Sequence, residues 1–116
     1  MNIRDLVYLQ HILEQISLIE ESTKDKTKKD FDANKDLKDA TIRRIEIIGE
    51  AVKNISEQLK KIHREVEWKR IAGTRDIIIH AYFKVDWELV WKTIQDDIGE
   101  LKKQISKIKE VLEKDI

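Results

Sequence analysis

A chain of 116 residues, 40% charged and 41% hydrophobic, with three glycines and no proline, has room for one domain with a real core and favours long helices over a loop-rich β fold. Lys plus Arg and Asp plus Glu number 23 each, so the formal net charge is zero, and the molecule as a whole does not attract nucleic acid; any such contact needs a local basic patch or a dimer that concentrates one. The absence of cysteine excludes disulfides and thiolate metal sites. No apolar run approaches the ~20 residues a membrane span requires, and the first ten residues carry charges where a signal peptide is apolar, so a cytoplasmic protein without a membrane partner is expected.

The first expected element runs from Asn2 to Glu21, where Ile3, Leu6, Leu9, Leu13, Ile16 and Ile19 recur at spacings of three and four, the pattern of an amphipathic helix. The lysine-rich stretch STKDKTKKD reads as a loop, with Thr27 and Asp30 forming a weak helix-starting box. Phe31 to Ile62 reads as a second helical region: Leu37, Thr41, Ile45, Ile48, Val52, Ile55, Leu59 and Ile62 again share a stripe. Asn34 marks a turn or kink early in it, and Gly49 within the stripe suggests close helix packing. A polar connection at 63–65 leads to a third helix, Glu67 to His80, followed by a break over Ala81 to Val85. Asp86 is placed as an N-cap, with Val85 and Val90 as a hydrophobic staple. The last element carries Trp87, Trp91, Ile94, Ile98, Leu101, Ile105, Ile108 and Leu112 at 4-3-4-3-4-3-4 spacing, a heptad seam that suits either the core or a dimer interface. The whole chain, residues 1–116, is expected to form a single all-α domain, an antiparallel bundle of four or five helices.

The segment RDIIIHAY, Arg75 to Tyr82, sets an arginine, an acid, a histidine and a tyrosine around three isoleucines. Arginine presents a planar fork to phosphate, and histidine moves protons near neutral pH. On a helix Asp76 and His80 share a face, so the carboxylate can orient the imidazole. Arg75 and His80 are five apart, roughly 140° around the axis, and converge only if their side chains bend or the helix unwinds near His80. An arginine with a histidine suits phosphodiester cleavage, the first stabilising phosphate charge and the second moving a proton. RNA brings its own nucleophile, the 2′-hydroxyl, so no metal is required. Two proton-transfer groups serve such a cleavage best, and a symmetric dimer supplies a second His80. By residue type alone, a structural role for His80 and a surface role for Tyr82 stay open. The lysines of the loop (Lys24, Lys26, Lys28, Lys29) and of the last helix (Lys102, Lys103, Lys107, Lys109) read as solvated faces, and Trp68, Trp87 and Trp91 as core.

Arginine, four residues, histidine, one residue, tyrosine is a motif that Arg75, His80 and Tyr82 match in full, with Asp76 the polar residue after the arginine. Together with IRRIEIIGEAVKNIS, 42–56, and WKRIAGTRDIIIHAYFKVDWELVW, 68–91, it makes the chain from Leu37 onward resemble the HepT-like branch of the HEPN superfamily. The resemblance implies a homodimeric, cofactor-free and metal-independent ribonuclease toxin of a HepT/MntA-type, type VII toxin–antitoxin pair. It implies Arg75 and His80 as the catalytic pair, meeting their copies in the dimer cleft, with Asp76 in support and transfer RNA or messenger RNA as substrate. Tyr82 is implied as the residue to which a partner minimal nucleotidyltransferase adds AMP. A non-catalytic helical substrate-binding or interaction partner of that nucleotidyltransferase is the rival expectation.

Overall fold

The computed structural model describes residues 3–80 and 85–115; of Arg75 and residues 77–80 it describes the backbone alone. Among these residues there is no strand, and the fold is all-α. Seven helices follow in chain order: α1 (Ile3–Thr23), α2 (Lys28–Ala33), α3 (Lys35–Asn54), α4 (Glu57–Ile62), α5 (Trp68–His80), α6 (Trp87–Asp96) and α7 (Ile98–Lys114). The count exceeds the expected four or five because caps cut two of the expected helices into shorter ones.

The lysine-rich connection is shorter than its composition suggests. Asp30 N–H donates to Thr27 Oγ1 at 3.1 Å and Thr27 N–H donates to Asp30 Oδ2 at 3.0 Å, a full capping box that starts α2 inside it. Asn34 does more than kink the chain. Its extended backbone closes α2, and its Oδ1 accepts from Leu37 N–H at 3.0 Å, which starts α3 as a new helix. At Ile55 and Ser56 the backbone is extended again, and Ser56 Oγ caps α4 by accepting from Leu59 N–H at 3.2 Å. Asp86 caps α6 as expected, accepting from Leu89 N–H at 3.1 Å. The seam of the last element is interrupted at one residue, Asp97, which ends α6 and precedes α7.

α1 supplies the centre of the core: Leu9, Ile12, Ile16 and Ile19 are fully buried. It runs antiparallel to α3, since Asp5 meets Ser56 at one end and Arg44 Nη1 donates to Ser22 Oγ at 3.0 Å at the other. α7 packs its buried face, Ile98, Leu101, Ile105 and Ile108, with α1, and Lys102 Nζ reaches Glu20 Oε1 at 2.8 Å. The heptad seam is therefore spent on the protomer's own core. Phe31 is fully buried against Trp87 and Trp91, with ring centroids 6.0 and 5.2 Å away, so the short α2 pins α6 to the bundle. Trp68, nearly buried, donates its indole N–H to His63 O at 3.0 Å and anchors the start of α5. No helix among the described residues is long and apolar enough to cross a membrane.

Candidate nucleic-acid site on the fifth helix

Asp5 fixes the scaffold under the site. Although it sits in the first turn of α1, its carboxylate is 2% exposed. It accepts from Ser56 N–H at 2.8 Å and from Ser56 O–H at 2.6 Å. An ionised acceptor makes both bonds strong, and they hold the exit of α3 onto the start of α1. Three residues before that corner, on the last turn of α3, stands Lys53. Its ammonium crosses to α5 and meets Asp76 Oδ1 at 3.0 Å, with both side chains about two-fifths exposed.

α5 is helical through His80, so of the two routes to convergence the helix does not take unwinding before His80, and positions 75 and 80 stand roughly 140° apart on one continuous helix. Position 80 falls about 40° from position 76, hence on the side that Asp76 turns toward α3. Tyr82 lies outside the described residues. Asp76 is expected to orient His80, whose side chain lies outside the described residues; among the described residues Lys53 is a cross-helix partner of Asp76. Lys53 is the residue that motif reasoning missed. The available signal was its position inside the 42–56 stretch that carries the family resemblance.

The opposite side of α5 is chemically different. Ile71 and Thr74 line a cleft of about 360 Å³ whose floor includes Ile45 and Ile48 of α3 and Ile98 and Leu101 of α7. Five carboxylates stand around it: Glu65, Glu67, Asp96, Asp97 and Glu100. Among the described residues the one cation lining it, Arg70, is held between Glu67 and Asp97, each at 3.0 Å. That guanidinium is already satisfied, and a nucleic-acid backbone is repelled here. Among the described residues the cleft lining carries four more negative than positive charges, in a chain of formal charge zero, so the rest of the chain carries a formal surplus of four positive charges. Thr74 lies roughly 160° around α5 from Asp76. The acid-lined cleft and the motif side are thus separated by the helix itself.

Among the described residues two titrations are shifted. Asp30 is held below the usual carboxylate range, first by the Thr27 backbone N–H and then by the Thr27 hydroxyl. Lys28 is raised, chiefly by its hydrogen bonds to Asp32 at 2.6 Å and to Glu88 at 2.8 Å. Among the described residues no group of three or more histidine, aspartate or glutamate side chains gathers so as to hold a metal ion.

The fold and site define a small all-helical domain with a charged motif on a helix near its middle. The family described as "Ribonuclease HepT-like" matches residues 12–108, and the chain belongs to it. A protein of Thermococcus cleftensis named "Probable ribonuclease HepT" is 46% identical over 102 residues, which cover 88% of this chain and 93% of that one. A protein of Caldanaerobacter subterraneus subsp. tengcongensis named as a "Putative RNase" is 44% identical over 93% of this chain and 94% of its own. A Methanocaldococcus jannaschii protein named "Gamma-glutamylcyclotransferase and putative RNase" is 53% identical over 108 residues, and the chain spans 49% of its length. No solved structure matches significantly.

Proposed function

We propose that the protein is a metal-independent endoribonuclease toxin whose site is shared between two copies of the chain. The observation that carries this reading is the intact Arg75, Asp76, His80, Tyr82 motif in a chain of the HepT-like ribonuclease family. Relatives named as ribonucleases over nearly their whole length support it. In the reaction, an RNA 2′-hydroxyl attacks the adjacent phosphorus, a base takes its proton, and the bond to the 5′-oxygen breaks as that oxygen gains a proton. Arg75 neutralises charge building on the non-bridging oxygens. His80 of one protomer and His80 of its partner act as base and acid. One protomer presents its arginine and histidine on faces 140° apart, and the twofold-related copy brings the complementary group.

The off-switch in this proposal is Tyr82. Its hydroxyl oxygen attacks the α-phosphorus of ATP on a partner nucleotidyltransferase, and pyrophosphate leaves. The added AMP brings negative charge and bulk to the motif, and both oppose an incoming RNA phosphate.

The test is incubation of the purified protein with total RNA in excess chelator, beside Arg75→Ala and His80→Ala. Cleavage by the wild type alone is expected; equal cleavage by all three refutes the assignment. With a partner nucleotidyltransferase and ATP, a mass gain of one AMP is expected that Tyr82→Phe abolishes.

A further inference from the structure

We propose that Lys53 is a positioning residue of the candidate site, acting through Asp76 to fix how α5 presents Arg75 and His80. The proposal rests on the ribonuclease reading for its functional consequence and on geometry for its mechanism. α5 is a single helix, so its rotation about its own axis sets the direction of every motif position at once. Its packing with α3 through aliphatic side chains constrains distance strongly but rotation weakly, because the hydrophobic effect is non-directional. Directional contacts at Trp68 and Arg70 fix the first turn of α5; the one described at the motif itself is the ion pair from Lys53 Nζ to Asp76 Oδ1 at 3.0 Å. Asp76 is the residue next to Arg75, so the restraint acts where rotational error reaches the motif without attenuation.

The other end of the restraint is equally fixed. Lys53 stands on the last turn of α3, and the following Ile55 is 3% exposed. Ser56 is then held by the buried Asp5 through two bonds of 2.8 and 2.6 Å. The chain Asp5, Ser56, Lys53, Asp76 thus transmits the position of α1 to the motif. An exposed ion pair adds little to global stability. Its effect is expected in the geometry of the site, where misplacement of about 1 Å costs on the order of 100-fold in rate.

The experiment compares the full chain with Lys53→Met, Lys53→Arg, Asp76→Asn and the Lys53→Met/Asp76→Asn double variant. The readouts are kcat and KM for RNA cleavage and hydrogen exchange of the α5 amides. Lys53→Met is expected to lower kcat on the order of 10-fold to 100-fold with KM changed less than about twofold, and Lys53→Arg to keep most of the activity. In the Asp76→Asn background the Lys53→Met change is expected to have no further effect, the signature of one coupled interaction. Faster exchange in α5, with α1 unchanged, is expected in Lys53→Met. A rise in KM alone makes Lys53 an RNA contact and overturns the proposal, as does a loss that persists undiminished in Asp76→Asn. If the wild type cleaves no RNA, the ribonuclease reading fails, and the exchange pattern still decides whether Lys53 orders α5.

Discussion

Replacing Asp5 by alanine tests the scaffold most directly. The carboxylate is 2% exposed and accepts two hydrogen bonds from Ser56, at 2.8 and 2.6 Å. A hydrogen bond to a charged group contributes about 1.5–3 kcal/mol net, and the lower figure suits a Ser56 that is only partly buried. Two such bonds give a loss of about 3 kcal/mol for Asp5→Ala. For a domain of this size that corresponds to roughly 12 °C in Tm, at about 4 °C per kcal/mol. Asp5→Asn keeps the shape and one acceptor oxygen, so its loss is expected to be about half as large. The assay is urea denaturation followed by far-ultraviolet circular dichroism, with Ser56→Ala and the double variant completing a cycle. The cycle isolates the hydroxyl bond and is expected to show a coupling of about 1 kcal/mol or more. A loss below about 1 kcal/mol for Asp5→Ala, or strict additivity with Ser56→Ala, refutes the claim that this carboxylate holds the α3–α4 corner.

Ile105 is fully buried in the seam of α7, so Ile105→Ala is expected to cost about 3 kcal/mol, whereas the half-exposed Val111→Ala stays within about 0.5 kcal/mol. Urea midpoints at two protein concentrations check the seam's role, because a cost that grows on dilution would assign it to an interface between copies. The depressed titration of Asp30 gives a pH prediction: the folded value lies below the unfolded one, so the stabilisation is present above the ordinary carboxylate range and is lost as pH falls through the folded value. Asp30→Asn is expected to flatten that acid limb in pH-dependent urea midpoints, and an unchanged limb contradicts it. Reversing charge in the cleft with Asp96→Lys/Glu100→Lys is expected to add a second, nonspecific RNA contact and steepen the salt dependence of binding by up to about 1.4–1.8 units of slope. Loss of cleavage in that folded variant would instead place the cleft within the active site.

What the sequence made legible was local. The stripes of α1, α3 and α7, the Thr27–Asp30 box and the Asp86 cap are set by residues within one or two turns of each other. The breaks that went unseen depend on distant partners. Ser56 interrupts a stripe that runs on through Leu59 and Ile62, and its backbone and hydroxyl donors are claimed by Asp5, 51 residues earlier. Asp97 interrupts the heptad seam while its carboxylate is drawn to Arg70 on α5 rather than to a backbone cap. Asp76 shows the same limit: i,i+4 reasoning looks only along its own helix, and the contact from Lys53, 23 residues away in the chain, is beyond its reach. Asn34 lay between these cases, readable as a turn, yet a full helix end only because its side chain caps the next helix.

The sides of α5 resolve the difficulty that a chain of zero net charge poses for an RNA enzyme. Charge neutrality is an average over the molecule, and affinity for a polyanion depends on the field where it docks. Five carboxylates are gathered on the cleft side of α5, where Arg70 is neutralised by two of them. The formal surplus of four positive charges is left to the rest of the chain. In the proposed enzyme an RNA approaching this helix is repelled from the cleft side, so a neutral composition is compatible with a local site elsewhere on the helix. The same helix separates positions 75 and 80 by roughly 140°, which a single copy closes only by bending both side chains; in the proposed enzyme a twofold-related copy supplies the complementary group. In the proposed enzyme, dimerisation therefore completes the site. That consequence predicts that RNA cleavage per chain falls steeply when the protein is diluted below its dimer dissociation constant.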